Sequence, residues 1–464
     1  MRTEIGNVII IESPTDEIKN WVKEQLILSN PEYAKKARMG LWLGNTPEKI
    51  RLYSQSGPRL ILPFGVIRTI LPLLQGGDII PTFTPKRTVD YREAEVPLYD
   101  YQELAVTEMI RQTYGILRSR AGSGKTQMGV AIAVRLKCKT LWITHTKDLL
   151  TQSKTRAEQY IDPSLLGTIT EGKVDIGECM TFATVQTLCR CDLDALRDEW
   201  DCIIVDECHR VAGTPTAITR FSKVLNGLRA RHKYGLSATV HRADGLIKAT
   251  HSLLGEVVYT VPDAAVADRV MQVSIKPIDT EVSITGDCLN TDGTLNYTKM
   301  ISYLVGVRSR CELIVSDLID NRTHFNLILS ERVNHLERLY NMLPPELQQY
   351  ASVIDGKMTT IRQKAEREQA IEDMRSGKKR YLFATYQLAK EGLDVPRLDR
   401  LYLTTPQKDY AVIVQSIGRI ARTYEGKADP VAYDYVDASR FHIKAYKKRC
   451  TSYRKAGCRI LEDE

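Results

Sequence analysis

The sequence has no long apolar run and no cysteine spacing typical of a metal site. No apolar stretch approaches the roughly 20 residues that cross a bilayer, and residues 1–4 do not open a secretory signal segment. The ten cysteines form no paired C-x-x-C units, so the sequence predicts no zinc site. We therefore expect a cytoplasmic protein with free thiols and no membrane partner.

Composition and length set broad limits on the kind of protein. The chain has 464 residues, of which 43% are hydrophobic and 26% charged, values typical of a globular protein with an ample core. This length allows roughly three domains. The excess of 65 Lys+Arg over 57 Asp+Glu gives a net charge of +8. Such a charge suits a polyanionic partner but does not by itself establish one.

The pattern of apolar segments predicts an α/β fold with a smaller part in front. Residues 1–92 read as a small α+β domain, in which no catalytic constellation is found, and residues 81–95 read as a linker. From there strands alternate with helices, which indicates parallel sheets. The domains predicted are 1–92, 93–262 and 263–464, the last two being tandem parallel-sheet domains.

A phosphate-binding loop is predicted at residues 119–127, which read SRAGSGKTQ. An apolar strand at 114–117 leads into it and a helix follows from 128 to 136, the context that such a loop needs. Successive backbone N–H groups and the helix N-terminus would hold phosphate. Serine stands at 119 where the pattern has its first glycine, and an ordinary turn before a helix is the alternative. The candidate ATP-binding residues here are Ala121, Gly122, Ser123, Gly124, Lys125 and Thr126.

A phosphate-binding loop requires carboxylates nearby to bind Mg²⁺ and to activate water, and an acidic pair at 206–207 is the candidate. Residues 202–209 read CIIVDECH, an apolar strand ending in two carboxylates, which predicts that both lie at the carboxyl edge of a sheet. Asp206 is a candidate Mg²⁺ ligand together with the Thr126 hydroxyl. Glu207 is positioned to orient and polarise the attacking water, and Lys125 would reach the β and γ phosphates. An acidic pair that merely ends a strand is the alternative.

These residues resemble the signature of superfamily 2 helicases, whose Asp-Glu-Cys-His motif stands at 206–209. Further motifs of that superfamily follow the same order along the chain. They lie at residues 98–102, 141–152, 182–188, 234–239, 386–396 and 415–422. The resemblance covers roughly residues 96–440 and implies two RecA-like domains that use ATP and Mg²⁺. Within the superfamily it is closest to phage recombination and branch-migration helicases of the UvsW type.

The resemblance also implies roles for individual residues. Gln102 would read adenine, although an arginine commonly stands where Tyr99 is, which leaves the residue that stacks on the base open. Ser237 and Thr239 would couple the ATP state to domain movement. Further implied residues are Thr144, Thr184 and Thr385 as nucleic-acid contacts, Gly392 and Asp394 as ATP-site residues, and Gln415, Arg419 and Arg422 as catalytic residues.

Motif VI can also be interpreted from its spacing. Arg419 and Arg422 are predicted to stand one helical turn apart on one face. From there two guanidiniums could reach across a cleft and stabilise charge on the transferring phosphoryl group. Taken alone, two such arginines are more often part of a solvated face.

Two basic segments have no assigned chemistry. Residues 33–51 interleave lysines and arginines with Trp42, which favours residues 1–92 as a domain that grips DNA. A packing brace and a protein-docking module are the alternatives for this domain, and a core position is the alternative for Trp42. Residues 440–460 are rich in Lys and Arg. We interpret them as the solvated face of a terminal helix docked on the second domain, with a nucleic-acid-binding helix as the alternative.

The predicted function is that of an ATP-dependent DNA helicase or translocase that acts on forked and recombination-type junctions. Its partners would be single-stranded, forked or branched DNA, its cofactors ATP and Mg²⁺, and its location the host cytoplasm if it is of phage origin. An RNA helicase is one alternative, because the motor motifs grip the phosphate backbone and do not identify the sugar. An ATP-gated clamp that does not unwind is another, disfavoured by Glu207 and the two motif VI arginines.

Overall fold

The structure is a computed structural model that describes residues 1–83, 87–120, 122–239, 245–266, 270–291, 293–356, 360–390, 393–407 and 409–461. The chain divides into two compact units. The first is Met1–Arg120 with Gly124–Pro262, and the second is Ala121–Ser123 with Asp263–Glu464. Within the described ranges, no helix has the length and apolar character needed to cross a bilayer.

The first unit opens with a small α+β part, which we call the N-terminal layer (residues 1–83). Its elements are β1 (Arg2–Ile5), β2 (Val8–Glu12), α1 (Asp16–Gln25), β3 (Ile27–Ser29), α2 (Pro31–Arg38), β4 (Lys49–Arg51), β5 (Ser54–Ser56), β6 (Arg59–Pro63), α3 (Ile67–Ile70) and β7 (Asp78–Pro81). The main sheet has the order β5-β6-β2-β1-β7, and β3 pairs with β4 in a separate ladder. Only the β1–β7 pairing is parallel among these ladders.

The rest of the first unit is an eight-stranded sheet with helices. Its elements are α4 (Asp100–Arg111), β8 (Tyr114–Arg118), α5 (Lys125–Leu136), β9 (Thr140–Thr144), α6 (Lys147–Ala157), β10 (Leu166–Thr170), β11 (Lys173–Asp175), β12 (Met180–Thr184), α7 (Val185–Leu188), β13 (Cys202–Asp206), α8 (Pro215–Gly227), β14 (His232–Ser237), α9 (Ile247–Leu254) and β15 (Val257–Thr260). The strand order is β11-β10-β12-β9-β13-β14-β8-β15. The β10–β11 pair is antiparallel and the other pairs are parallel. Strands β9, β12 and β13 are buried along their whole length, as expected of parallel strands covered on both faces.

The N-terminal layer shares a hydrophobic core with this sheet. Buried Ile9 and Leu62 belong to the same cluster as Tyr114 of β8. The backbones also meet closely, because a Cβ at Gly65 would clash with the carbonyl oxygen of His251 in α9. Removing the layer would therefore expose apolar surface of the larger sheet.

A buried lysine lies where the layer meets the sheet. Lys233 of β14 is 1% exposed, and its Nζ donates to the carbonyl oxygens of Asn7 (3.1 Å) and Leu225 (2.8 Å). Burial lowers the pKa of Lys233 to about 7. A neutral amine has two N–H donors, which match these two acceptors, so the contacts fit the uncharged form.

The stability of the first unit is expected to rise with pH because of Lys233. The unfolded lysine has a pKa of about 10.4, so between pH 7 and 10 the unfolded state binds more protons than the folded state. The slope of the unfolding free energy against pH is then positive, at most about 1.4 kcal/mol per pH unit. Lys233→Met should flatten this slope, whatever it does to the stability itself. Urea unfolding from pH 7 to 9 can be followed by tryptophan fluorescence, since all four tryptophans lie in residues 1–262; equal slopes in both proteins would contradict the prediction.

The second unit is a seven-stranded sheet with helices. Its elements are β16 (Ser274–Asp279), α10 (Tyr297–Leu304), α11 (Arg308–Asp320), β17 (Asn326–Ser330), α12 (Val333–Met342), α13 (Pro345–Gln348), β18 (Ala351–Ile354), α14 (Ile361–Ser376), β19 (Tyr381–Thr385), α15 (Tyr386–Lys390), β20 (Arg400–Leu403), α16 (Tyr410–Ile420), β21 (Val431–Val436), α17 (Arg440–Lys455) and β22 (Arg459–Ile460). The order is β18-β19-β17-β20-β21-β16-β22 and every pair is parallel.

The basic C-terminal segment forms α17 and packs on the second sheet. Arg449 makes two hydrogen bonds to the Asp434 carboxylate of β21, at 2.8 and 2.9 Å, and the Tyr453 hydroxyl donates to the same group at 2.7 Å. Cys450 and Tyr453 are buried. This packing supports the interpretation of a terminal helix docked on the second domain.

Candidate functional site

The predicted phosphate loop joins β8 to α5. Gly122 and Gly124 have positive φ angles, +87° and +79°, which glycine adopts without strain. Ser119 is not among the residues with positive φ, so its backbone does not require the glycine that the usual pattern has there. The Lys125 Nζ donates to the carbonyl oxygens of Ser119 (3.3 Å) and Arg120 (3.1 Å). Thr126 follows on the first turn of α5 and Ser123 lies between the glycines; Ala121 is outside the described residues.

The predicted adenine-reading residue lies against this loop. Gln102 of α4 is 1% exposed, and its Oε1 accepts the backbone N–H of Tyr99 at 3.0 Å. A Cβ at Gly124 would clash with the Gln102 Nε2, so only glycine permits this approach. The Tyr99 ring is 47% exposed and stacks on Tyr101, with ring centroids 6.0 Å apart. An aromatic face therefore stands beside Gln102 at the position where the family commonly has arginine.

The acidic pair ends β13 at the carboxyl edge of the sheet. Asp206 is 6% exposed, and its carboxylate accepts hydrogen bonds from the Ser153 hydroxyl (3.2 Å) and the Glu207 backbone N–H (2.9 Å). Glu207 has φ +47°, a left-handed conformation that is strained for a residue with a side chain. Strain of this kind is concentrated at functional sites, where the surrounding structure holds it in place.

The electrostatics of the pair differ between its two members. Burial, and then the charge of Glu207, raise the pKa of Asp206, while Lys125 and Ser153 oppose the rise. Burial also disfavours ionisation of Glu207. This effect is outweighed by its contact with His209 and by the positive charges of Lys125, His209 and Arg210, which together lower the pKa of Glu207. Glu207 is thus held as a carboxylate, the form that accepts a proton.

His209 links the acidic pair to the Ser-Ala-Thr segment after β14. Its Nδ1 lies 3.2 Å from Glu207 Oε2 and 3.0 Å from Ser237 Oγ. The Ser237 hydroxyl donates to the Thr239 carbonyl oxygen (2.7 Å) and accepts the Thr239 backbone N–H (3.1 Å). Because that hydroxyl proton goes to Thr239, the ring nitrogen of His209 is the donor in its contact with Ser237. A continuous path of polar contacts therefore joins Glu207 to Ser237 and Thr239.

The residues at this edge fit Mg²⁺ and a triphosphate. Buried Asp206 and the adjacent, partly exposed Glu207 offer the carboxylate oxygens that Mg²⁺ prefers. The raised pKa of Asp206 reflects its burial and the neighbouring charge of Glu207. Gly122 and Gly124 keep the loop free of side chains where phosphate would approach. Bound Mg²⁺, held by Asp206 and Thr126, would neutralise charge on the phosphates.

The predicted nucleic-acid contacts of the first unit lie on two neighbouring strands. Thr144 ends β9 and Thr184 ends β12, and the two residues are register partners. Both side chains are buried: the Thr144 hydroxyl donates to the Thr146 carbonyl oxygen, and the Thr184 hydroxyl donates to Thr187 Oγ1, each at 3.0 Å. They hold the loops at this edge, and a direct contact of either side chain with nucleic acid stays a prediction.

In the second unit the prediction for motif VI is wrong in one respect. The helix α16 ends at Ile420, so Arg419 and Arg422 do not share one helical face. The chain turns out of the helix because the Ala421 carbonyl oxygen accepts the Met271 N–H at 2.7 Å, and Arg422 then pairs with Val270 in an isolated β-bridge. The helical spacing in the sequence could not show this.

The side chains of the two arginines accordingly have different partners. Arg419 donates from Nε to the Ala389 carbonyl oxygen (2.8 Å) and from Nη1 to that of Leu393 (3.1 Å). Arg422 forms an ion pair with Asp394. Arg419 therefore braces the segment that carries motif V, whereas Arg422 is held by a partly exposed carboxylate.

Of the remaining predicted residues of the second unit, the structure describes Thr385 and Gln415 but not Gly392. Thr385 ends β19, and its Oγ1 is buried with no hydrogen-bond partner within the described ranges. Gln415 is buried in α16. Gly392 lies outside the described residues, and its place in the ATP site stays a prediction.

Two protein-family models match this chain. Residues 95–242 match the type III restriction enzyme, res subunit, and residues 310–424 match the helicase conserved C-terminal domain. The chain belongs to the superfamily 2 helicases. The predicted fold class, two tandem RecA-like parallel-sheet domains behind a small α+β part, is confirmed, and the matched helicase domains support ATP-dependent helicase activity.

Relatives of this helicase occur among viral proteins. A provisionally named ATP-dependent RNA helicase of Acanthamoeba polyphaga mimivirus is 26% identical over 347 residues, 73% of this chain and 63% of its own length. A provisionally named helicase of Escherichia phage T5 is 24% identical over 404 residues, 85% of this chain and 84% of its own length. The helicase thus spans less than two thirds of the mimivirus protein.

Solved structures with a similar fold include a yeast protein and a phage protein. S. cerevisiae Dbp5, solved with RNA and ADP BeF3, has a TM-score of 0.56 at 16% identity, with 86% of this chain and 94% of that chain covered. T4 UvsW is similar over 99% of both chains at 17% identity, with a TM-score of 0.43. At such identities the Dbp5 likeness speaks for the fold alone.

Sequence reasoning missed two residues of the site. Ser153, which hydrogen-bonds Asp206, lies on α6 with nothing in its neighbourhood to mark it. His209 is visible as the last letter of Asp-Glu-Cys-His, but its contact with Ser237 joins residues 28 positions apart. The spacing of the two motifs carries no sign of that contact.

Proposed function

We propose that this helicase is an ATP-driven DNA motor that unwinds or branch-migrates forked and recombination-type junctions. Lys125 would hold the β and γ phosphates, Asp206 and Thr126 would hold Mg²⁺, and Glu207 would orient and polarise the attacking water. The observation that carries the motor assignment is the path of contacts from Glu207 through His209 to Ser237 and Thr239. Such a path can transmit the state of the nucleotide to the rest of the unit.

The choice of DNA junctions rests on a projecting segment of the N-terminal layer, residues 31–49, which we call the Trp42 projection. Its helix α2 buries no side chain, and the loop after it exposes Met39 (58%), Leu41 (51%) and Trp42 (90%). The alternative core position of Trp42 is therefore wrong. Since the motor's phosphate contacts are generic and carry no sequence information directly, we assign the choice of substrate to a surface outside the motor.

Charge on the Trp42 projection suits a polyanion. Lys35 and Arg38 are exposed on α2, and Lys49 is exposed where β4 begins. Lys36 is partly engaged, because it pairs with Glu32 (3.0 Å) and donates to the Thr46 hydroxyl (2.7 Å). Asn30 holds the base of the projection, since its side chain accepts the Glu32 N–H and donates to the Pro47 carbonyl oxygen. An exposed indole among lysines and arginines is typical of base-stacking sites on nucleic-acid-binding proteins.

Trp42→Ala should weaken affinity for forked DNA by about fivefold to a hundredfold, because stacking of a base on an aromatic ring contributes about 1–3 kcal/mol. ATP hydrolysis stimulated by single-stranded DNA should be unchanged. Fluorescence anisotropy with labelled forked and single-stranded DNA measures the first quantity, and a turnover assay measures the second. Deleting the layer is a poorer test, because the deletion would open the shared core.

Tyr350→Ala is the matched control, since Tyr350 is an exposed aromatic residue (42%) of the second unit. It should leave affinity for forked DNA unchanged. Equal affinities in Trp42→Ala and the parent would assign the Trp42 projection to protein docking or to no binding role.

An RNA helicase is the second candidate function. It is favoured by the name of the mimivirus relative. ATP turnover measured with single-stranded, duplex and forked DNA and with RNA separates the two candidates. Greatest stimulation by forked DNA supports the proposal, and stimulation by RNA alone overturns it. Stimulated turnover without strand separation or branch migration would instead favour the ATP-gated clamp.

A further inference from the structure

The second unit contains a cavity of about 240 Å³ beside the C-terminal helix α17. The start of α10, with Leu295 just before it, and the loop after β20 form its other walls. Its apolar lining comes from Leu295, Tyr297, Met300, Pro406, Phe441 and Ala445. An apolar, partly aromatic lining suits a flat ring better than a bare anion.

One polar group of the cavity wall lacks a partner. Arg449 lines the cavity and is 3% exposed. Its Nε and Nη2 bond to Asp434, but its Nη1 is buried with no hydrogen-bond partner in the described part of the chain. This nitrogen is itself buried, so the guanidinium adds positive charge behind the cavity lining without being open to a ligand.

The rim of the cavity is positively charged. Lys444 and Lys448 also line it, are exposed, and stand four residues apart on the same face of α17. Their ammonium groups can reach phosphates outside the cavity while a ring lies within it.

The cavity lies at the carboxyl edge of the second sheet. The Tyr297 hydroxyl is 2.6 Å from the Pro406 carbonyl oxygen and 2.7 Å from Glu331 Oε1. Glu331 directly follows β17, and Pro406 lies in the loop after β20. Ligands of open parallel sheets bind at this edge.

We propose that this cavity takes one nucleobase of the bound nucleic-acid strand. The base would stack on the aromatic side chains of the lining, and the flanking phosphates would lie on Lys444 and Lys448. The proposal rests on the proposed function, because it deepens how the strand is held. A free nucleotide offers the same chemistry, so the two sources are separated in the test below.

The test begins with the unaltered protein and a thymine strand that carries photoreactive 4-thiothymine. Irradiation should crosslink the strand to residues 295–300 or 441–445, as located by mass spectrometry. Crosslinks that fall wholly outside the cavity lining would overturn the proposal. Crosslinking of these residues by free 4-thiothymidine monophosphate but not by the strand would overturn the assignment to a strand.

A filling substitution gives the second measurement. Ala445→Phe should abolish these crosslinks and weaken strand affinity about tenfold or more, the effect of losing one stacked base. Ala445→Ser keeps the cavity open, and Ile443→Phe adds the same ring to α17 at an exposed position outside the lining. Both should bind the strand like the parent. Parent-like affinity of Ala445→Phe, with its fold checked by circular dichroism, would refute the proposal.

The rim supplies a third measurement. Lys444→Gln with Lys448→Gln should lower the slope of log affinity against log salt by about 0.7 for each strand phosphate that the protein no longer neutralises. Lys447→Gln, an exposed lysine of the same helix outside the lining, should change the slope less. Failure of the proposed function would appear differently, as an ATPase that DNA does not stimulate, whereas failure of this inference leaves stimulation by DNA intact.

Discussion

Glu207→Gln is expected to lower ATP turnover by about 10²–10⁴-fold, the usual contribution of a general base, while ATP still binds. Glutamine keeps the shape of the side chain but cannot accept a proton from water. The structure holds Glu207 as a carboxylate through His209 and nearby positive charge. Turnover with saturating forked DNA gives the rate, and calorimetric titration with ATP gives the affinity.

Glu158→Gln is the control for the loss of a carboxylate. Glu158 forms a surface pair with Lys154 (2.7 Å) and is separate from the site. It should hydrolyse ATP like the parent. Turnover near the parent value in Glu207→Gln would remove Glu207 from its role and leave the attacking water without an assigned base.

Lys125→Ala is expected to weaken ATP binding by about 10- to 100-fold, because a hydrogen bond to a charged group contributes about 1.5–3 kcal/mol. The lysine lies at the start of α5 and reaches back over the loop to the carbonyl oxygens of Ser119 and Arg120. Its loss removes a positive charge that grips phosphate and one that lowers the pKa of both carboxylates. Turnover should fall together with affinity, which distinguishes this variant from Glu207→Gln.

Lys154→Ala is the matched lysine control. Lys154 lies on α6 and pairs with Glu158 away from the site, so this variant should bind ATP normally. Equal loss of ATP affinity in Lys125→Ala and Glu207→Gln would contradict the two separate roles. It would indicate that the pair acts as one binding element.

Much of the fold could be predicted because buried parallel strands have short, continuously apolar sequences. The apolar segments 202–205 and 400–403 predict strands, and β13 and β20 occupy them. Parallel pairing then puts the residues that end each strand at one edge, so the meeting of the loop after β8 with Asp206 follows from topology.

The rest depends on contacts between distant residues. The end of α16 before Arg422 is decided by the hydrogen bond from Met271 to Ala421, which no helical periodicity records. Trp42 is 90% exposed and α2 buries no side chain. Composition does not show this, because the same residues would also suit a core. The sequence also does not show that Arg449 bonds to Asp434 through Nε and Nη2 and leaves Nη1 without a partner in the described part of the chain.

Strand displacement on a forked DNA, followed in real time by a fluorophore and quencher on the paired strands, is the most direct test of the proposed motor. We predict displacement that requires ATP and Mg²⁺ in the parent protein and is absent in Glu207→Gln, although that variant binds both ATP and the fork. Displacement by Glu207→Gln at the parent rate, or displacement by the parent without ATP, would contradict an ATP-driven motor built on Glu207.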